Sequence, residues 1–364
     1  MPMITRAGLP LWTVASPLLA LVVLAATWAH HDHPMVLAAI AACLIGAVLA
    51  AVHHAEVVAH RVGEPAGSLV LAVAVTIIEV GLIVMLMAGG GPGAATYARN
   101  TVFAAVMITL NGIVGVSLIA GAGRNRVVSF NAAGSGSALA TVVTLAGVTL
   151  VLPGFTVSAA GLQYTSSQLV FAGVAALALY AAFVVTQTVR HRDFFVPEQV
   201  PDEDGDGHSD PPTSREAAVS LGLLLAALVS VVGLAKLLSP AIEDTVTGLG
   251  LPYAVVGVVI ALLVLAPETL AALNNAKRDQ VQISLNLAYG SAMASIGLTI
   301  PVIAVALIWL PGPLTLGLEP MQIVLLALTV IVSILTIAEG RAMALQGMVH
   351  LVLLATFLFL SAQP

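Results

Sequence analysis

Charged side chains are scarce in this sequence. Aspartate, glutamate, lysine and arginine make up 8% of its 364 residues, whereas an ordinary soluble domain contains about 25%. Hydrophobic residues make up 59%, and the mean hydropathy is +1.06. This composition excludes a soluble globular protein and predicts a chain that crosses a membrane many times. The net charge of -6 comes mostly from one short acidic stretch, so no nucleic-acid partner is predicted.

Cysteine and the common catalytic motifs are also nearly absent. Cys43 is the only cysteine, which excludes a disulfide framework and a cysteine-ligated metal. No glycine-rich stretch has the spacing and the Lys-Ser/Thr ending of a phosphate-binding loop, and no serine, histidine and acid arrangement indicates hydrolysis. The sequence therefore predicts neither an enzyme nor an ATP-driven pump, and it predicts no cofactor.

Long apolar runs fill most of the chain. Eleven runs are long enough to cross a membrane as helices, the form in which a chain satisfies its backbone polar groups in lipid. They cover approximately residues 9–28, 35–59, 65–88, 100–121, 135–152, 167–189, 217–238, 247–272, 282–310, 315–338 and 342–361. With the N-terminus in the cytoplasm, ten of the twelve lysines and arginines fall on the cytoplasmic side, as the positive-inside rule requires. We expect a multi-pass inner-membrane protein with a cytoplasmic N-terminus and an external C-terminus.

A long polar loop divides these runs into two groups. Once the first run is set aside, five runs precede the loop and five follow it. An odd number of helices turns the second half upside down relative to the first, which is the inverted-repeat plan of secondary transporters. The sequence predicts an all-α polytopic membrane protein with an N-terminal helix (1–31), a first five-helix repeat (32–189), an acidic cytoplasmic loop (190–216) and a second five-helix repeat (217–364).

Each predicted repeat carries one glutamate inside an apolar helix. Glu79 lies in "TIIEVGLI" and Glu268 in "VLAPETLAAL", each on the second helix of its half. A charged side chain at the bilayer centre costs about 2.5–3.5 kcal/mol, so its presence calls for a reason. For either glutamate alone, the alternative is a structural carboxyl that is protonated or hydrogen-bonded to a neighbouring helix. Two at matching positions favour a cation site shared by the halves, where two protons compete with one divalent cation.

Neighbouring residues supply further oxygen ligands. Asn111 and Ser291 lie on the helices that follow the two glutamate helices, and Thr76 lies one turn before the first glutamate. Hard oxygen ligands of this kind suit Ca2+. The Thr76 hydroxyl has a second interpretation, in which it bonds back to its own helix. Pro267 removes one helical hydrogen bond beside the second glutamate and would free a backbone carbonyl for the site.

The acidic loop holds a separate pattern for cation binding. In "DEDGDGHSD" the acids follow the spacing of an EF-hand loop, with a glycine at the sixth position. These acids are Asp202, Asp204, Asp206 and Asp210. Thr213 stands where an EF-hand loop needs a bidentate glutamate. The stretch is therefore either a regulatory cation loop or a solvated acidic linker, and both interpretations stay open.

Two stretches resemble the alpha repeats of the cation/calcium exchanger superfamily. They are "GEPAGSLVLAVAVTIIEVGLIVM" (63–85) and "APETLAALNNAKRDQVQISLNLAYGSAMASIGLTIPV" (266–302), and they are most similar to bacterial calcium/proton antiporters. The resemblance implies that the two glutamates bind the transported cation and exchange it for protons. The usual Gly-Asn-Ala-Thr-Glu type motif reads "VTIIE" and "LAPE" here, so two asparagines of that motif are missing. The same stretches also resemble the sodium-potassium/proton antiporter subgroup of this superfamily.

These observations together predict a secondary transporter that exchanges cytoplasmic Ca2+ for external protons by alternating access. Ca2+ and H+ are then its substrates, lipid and inorganic cations are its partners, and a homo-oligomer is left open. An antiporter of Na+ or K+ with the same site is the alternative within this class. An ion channel or a membrane cation sensor is the alternative from another class.

Overall fold

The protein is described by a computed structural model for residues 9–29, 33–63, 66–91, 93–195, 212–309 and 312–364. Helices form nearly all of the regular structure in these ranges. They are α1 (Leu11–Thr27), α2 (Pro34–Val62), α3 (Ala66–Ala88), α4 (Tyr97–Met107), α5 (Val114–Asn125), α6 (Ala132–Ala146), α7 (Ser166–Val185), α8 (Ser214–Gly248), α9 (Ala254–Lys277), α10 (Val281–Gly297), α11 (Thr299–Ala306), α12 (Pro320–Ile337) and α13 (Ala344–Ala362). Short π-helical turns at Ile108–Ile113, Gly147–Val151 and Thr186–Arg190 extend or join them, and 3-10 turns lie at Leu152–Gly154 and Arg192–Phe194.

Most of these helices have the length and composition of membrane spans. Among the described residues, nine helical segments are long and apolar enough to cross a membrane, and two shorter apolar segments are Leu11–Thr27 and Val73–Ala88. These segments lie at the positions of the apolar runs in the sequence. The helical multi-pass architecture is therefore confirmed, while the number of eleven crossings stays a prediction.

One small element is not helical. Strands β1 (Val127–Ser129) and β2 (Arg341–Met343) pair antiparallel, with Val128 opposite Ala342. The Phe130 N–H continues the pairing by donating to the Gly340 carbonyl oxygen at 2.8 Å. This ribbon ties the start of α6 to the start of α13, which a pattern of apolar runs does not predict.

The chain forms two compact units. The first contains α1, α2, α3 and α8 as far as Thr245, and the second contains the other elements. Each unit therefore takes helices from both halves of the sequence. The boundaries of the two predicted repeats remain a prediction.

In the first unit, α8 packs against the helix that carries Glu79. A Cβ at Gly81 would lie 2.7 Å from Val232 Cγ2, so α3 and α8 approach as closely as a glycine allows. The buried His54 ring on α2 joins two more helices, with Nδ1 3.2 Å from Ser220 Oγ on α8 and Nε2 2.9 Å from the Thr13 carbonyl oxygen on α1. A glycine contact thus packs α3 against α8, and one polar junction ties α1, α2 and α8 together.

In the second unit, α5 and α13 cross at a pair of glycines. A Cβ at Gly347 would lie 2.7 Å from the Gly115 carbonyl oxygen, and a Cβ at Gly115 would lie 3.0 Å from the Gly347 carbonyl oxygen. Close backbone approach of this kind is a common way for membrane helices to pack, because lipid supplies no hydrophobic drive between them.

A larger side chain at the glycine contact between α5 and α13 should destabilise the protein. We expect Gly347→Leu to cost about 1–3 kcal/mol, because the new side chain must push two backbones apart. Thermal unfolding in detergent would measure the loss as a lower midpoint. Gly222→Leu is the matched control, since nothing lies within 4 Å of a Cβ at that helical glycine. Equal midpoints for the two variants would contradict the importance of the crossing.

Candidate cation-binding site

Both predicted site glutamates are buried. Glu79 on α3 in the first unit is 2% exposed, and Glu268 on α9 in the second unit is 6% exposed. Neither side chain is therefore displayed on the lipid-facing surface. Thr76, one turn before Glu79 on the same helix, is also buried at 6% exposure.

In the second unit, α9 runs alongside the helical segment formed by α4, the π-helical turn and α5. A Cβ at Gly257 would lie 2.8 Å from the carbonyl carbon of Asn100, and a Cβ at Gly121 would lie 3.7 Å from the Ala276 carbonyl oxygen. The paired residue numbers differ by 157 at the first contact and by 155 at the second. The two segments therefore run parallel. A residue of the α4–α5 segment lies level with the α9 residue that is 155 to 157 positions later in the chain.

This register brings three predicted site residues to one level of the second unit. An offset of 155 to 157 places Asn111 level with residues 266–268, and therefore with Glu268. On α10, which packs against both α9 and α5, Ser284 Oγ donates to the Ala272 carbonyl oxygen of α9 at 2.6 Å, which places position 288 of α10 opposite Glu268. Ser291, which is half-buried, lies three residues further, or about 4.5 Å along the helix axis.

A π-helical turn positions Asn111. The turn covers Ile108–Ile113 and interrupts the α-helical hydrogen bonding between α4 and α5. Single π-helical turns inside α-helices occur frequently at functional sites. The apolar pattern of residues 100–121 predicts only a continuous helix and contains no signal for this turn.

The Asn111 side chain is part of a buried hydrogen-bond network. Its Nδ2 donates to Thr329 Oγ1 at 2.9 Å, and its Oδ1 lies 3.1 Å from His350 Nδ1. The other ring nitrogen of His350, Nε2, lies 3.1 Å from Thr336 Oγ1. All four side chains are at most 2% exposed. The sequence did not predict Thr329 and His350 as partners of Asn111, or Thr336 as the partner of His350, although polar residues inside the apolar runs of α12 and α13 were a usable signal.

Near Glu268, the backbone of α9 stays helical through Pro267. Because proline has no N–H, the Leu263 carbonyl loses its helical partner one turn before Pro267. The next polar side chain, Thr269, donates its hydroxyl to the Leu265 carbonyl oxygen at 2.7 Å, so it does not replace that partner. The Leu263 carbonyl oxygen, one turn before Pro267, therefore lacks the backbone hydrogen bond that a regular helix would give it.

The acids of the predicted regulatory loop cannot be placed. Asp202, Asp204, Asp206 and Asp210 lie outside the described residues, so their role stays a prediction. Within the described ranges, no three or more histidine, cysteine, aspartate or glutamate side chains gather where they could hold a metal.

A helical multi-pass fold with a buried carboxylate in an apolar helix of each compact unit defines a class of membrane ion transporters. The chain belongs to the sodium/calcium exchanger protein family, whose model matches residues 33–189 and 219–363. The resemblance to cation/calcium exchangers seen in the sequence is confirmed. The protein is a membrane-embedded cation exchanger and not an enzyme, and its family needs no cofactor.

Two relatives match nearly the whole chain. The putative ionic transporter y4hA of Sinorhizobium fredii (strain NBRC 101917 / NGR234) is 45% identical over 99% of this chain and 98% of its own. The sodium-potassium/proton antiporter ChaA of Escherichia coli (strain K12) is 33% identical over 94% of this chain and 93% of its own. The solved structure of native YfkE has the same fold, with a TM-score of 0.73 at 17% identity over 97% of this chain and 99% of that one.

Proposed function

We propose that this protein is a proton-coupled antiporter that exports Ca2+ from the cytoplasm in exchange for external protons. The observation that carries the proposal is the burial of one carboxylate in an apolar helix of each compact unit, Glu79 and Glu268. A buried carboxylate is costly unless a proton or a cation neutralises it. Two such groups can be neutralised by two protons or by one divalent cation, and exchange between those states is antiport.

Neutral oxygen groups near each carboxylate support cation binding there. In the second unit, the helix register puts Asn111 level with Glu268 and Ser291 about 4.5 Å further along α10, and in the first unit Thr76 lies one turn from Glu79. Carboxylate, amide, hydroxyl and backbone carbonyl oxygens are the ligand types of Ca2+ sites. In this mechanism the cation and the protons never occupy the glutamates together, and alternating access exposes the site to one side of the membrane at a time.

Exchange of Na+ or K+ for protons at the same residues is the second candidate. It is favoured by the 33% identity to a sodium-potassium/proton antiporter over nearly the full chain. The missing asparagines in "VTIIE" and "LAPE" also favour it, because they remove two neutral ligands from the site that the family resemblance implies.

Ion-by-ion flux measurements in inverted inner-membrane vesicles distinguish the two candidates. Respiration acidifies such vesicles, and a cation that enters in exchange for protons dissipates the pH gradient. We expect Ca2+ to dissipate the gradient at a lower concentration than Na+ or K+, because a divalent cation matches two carboxylates. A response to Na+ or K+ alone would establish the second candidate in place of the first.

The same vesicles test the proposed orientation and the alternatives from another class. A cytoplasmic N-terminus is supported by the ten of twelve lysines and arginines that fall on one side. In that orientation the cytoplasmic face of the protein points outward from an inverted vesicle and receives the added cation. A channel would conduct the cation without proton counter-movement, and a sensor would move neither ion.

A further inference from the structure

The hydrogen bonds around Asn111 fix which way its amide points. Thr329 Oγ1 lies 3.6 Å from Met107 Sδ and donates its hydrogen to that sulfur. The Thr329 oxygen is then left to accept, so Asn111 presents its nitrogen to Thr329 at 2.9 Å and its oxygen to His350. The orientation of the amide is thus determined by its neighbours on α12 and α13.

The donors and acceptors around His350 also determine which of its ring nitrogens carries the hydrogen. Asn111 Oδ1 is an acceptor, so His350 Nδ1 carries the hydrogen of their 3.1 Å bond. In the neutral ring Nε2 then accepts, and the Thr336 hydroxyl donates to it at 3.1 Å. The ring also hydrogen-bonds the Leu110 carbonyl oxygen, next to Asn111 in the chain, so His350 is held between α12 and the π-helical turn.

From this arrangement we infer that His350 is a positioning residue for cation binding. An amide oxygen has two lone pairs, and the His350 N–H occupies one of them. The other lone pair of Asn111 Oδ1 remains for a cation at the level of Glu268. Ligand side chains in metal sites are commonly oriented by such outer hydrogen bonds, and loss of one typically lowers metal affinity about 10–100-fold. The inference rests on the proposed function, in which Asn111 is a ligand.

His350 variants test this role through the concentration of Ca2+ that half-saturates uptake in inverted vesicles. We expect His350→Leu to raise that concentration about 10–100-fold, with a smaller change in the maximal rate. His350→Asn places an amide nitrogen where the ring has Nδ1 and should restore most of the affinity. His350→Gln places its amide nitrogen nearer the position of Nε2 and should restore less.

Two further variants separate positioning from a merely structural role. Thr336→Val removes the other bond of the same buried ring but keeps the Nδ1 bond to Asn111, and we expect it to raise the half-saturating Ca2+ concentration less than His350→Leu does. Adding His350→Leu to Asn111→Ala should cause no further loss of affinity, because His350 acts through Asn111. Additive losses, or equal effects of His350→Asn and His350→Gln, would overturn the inference.

The outcome for His350 can be told apart from the outcome for the antiport proposal. If His350→Leu keeps the unaltered affinity while Glu268→Gln stops transport, the positioning role is wrong and the antiport proposal stands. If Glu268→Gln transports normally, the proposed mechanism is wrong whatever His350 does. A raised half-saturating concentration in His350→Leu with recovery in His350→Asn supports the positioning role.

Discussion

Replacing either Glu79 or Glu268 by glutamine should abolish proton-coupled Ca2+ transport. Glutamine keeps the size and the hydrogen-bonding shape of the side chain, but it carries no charge and exchanges no proton. A carboxylate with its bound cation is a buried pair of opposite charges, and removing one partner of such a pair costs about 3–5 kcal/mol, which corresponds to more than a 100-fold loss of cation affinity. Uptake of Ca2+ into inverted vesicles, driven by an imposed proton gradient, would measure the loss.

The matched control for these variants is Glu339→Gln. Its side chain is 72% exposed and pairs with the equally exposed Arg341, so the same chemical change removes no buried charge. We expect this variant to transport at the normal rate. Size-exclusion profiles in detergent would show that all three variants fold. Normal transport by Glu79→Gln or Glu268→Gln would contradict the role of that glutamate.

Hydropathy predicted the helical architecture because a lipid-spanning helix must be apolar along its whole length. It also predicted which carboxylates to consider, since a glutamate inside such a run is rare enough to be informative. Glu79 and Glu268 are buried as this reasoning requires. Their binding of the transported cation is the proposal that the two glutamine variants test.

The partners of Asn111 could not be predicted from local patterns. Thr329 and His350 are 218 and 239 positions away from it in the chain, and both lie in runs that are apolar on nearly every face. In a membrane helix the surface toward lipid is as apolar as the interior, so periodicity does not reveal which side packs against a neighbour. The π-helical turn that presents Asn111 and the β1–β2 ribbon escaped prediction for a different reason, because the turn leaves the apolar run unbroken and each strand has only three residues.

The division into two compact units also could not be predicted from local patterns. The order of apolar runs groups helices that are neighbours in sequence, whereas α8 packs with α1, α2 and α3 through contacts such as Gly81 with Val232 and His54 with Ser220. Such contacts depend on small or polar residues at single positions. They become visible only when helices distant in sequence are brought together.

Competition between protons and the cation should make apparent Ca2+ affinity strongly dependent on pH. Where both glutamates are protonated in the absence of Ca2+, binding one Ca2+ must release two protons. Mass action then raises the half-saturating Ca2+ concentration about 100-fold for each unit by which the pH falls. At higher pH, where both carboxyls are already ionised, the affinity should reach a plateau.

The slope of that dependence also identifies the transported ion. A monovalent cation that displaces one proton would show only about a tenfold change per pH unit, because a single proton appears in the exchange. Half-saturating concentrations measured for Ca2+ and for Na+ over a series of pH values, with the pH equal on both sides, would give both slopes. Affinity for Ca2+ that stays constant down to the lowest pH of the series would mean that protons and the cation do not share the glutamates. That result would show that the two buried carboxylates do not couple proton movement to cation movement, because coupling requires both ions to use the same carboxylates in turn.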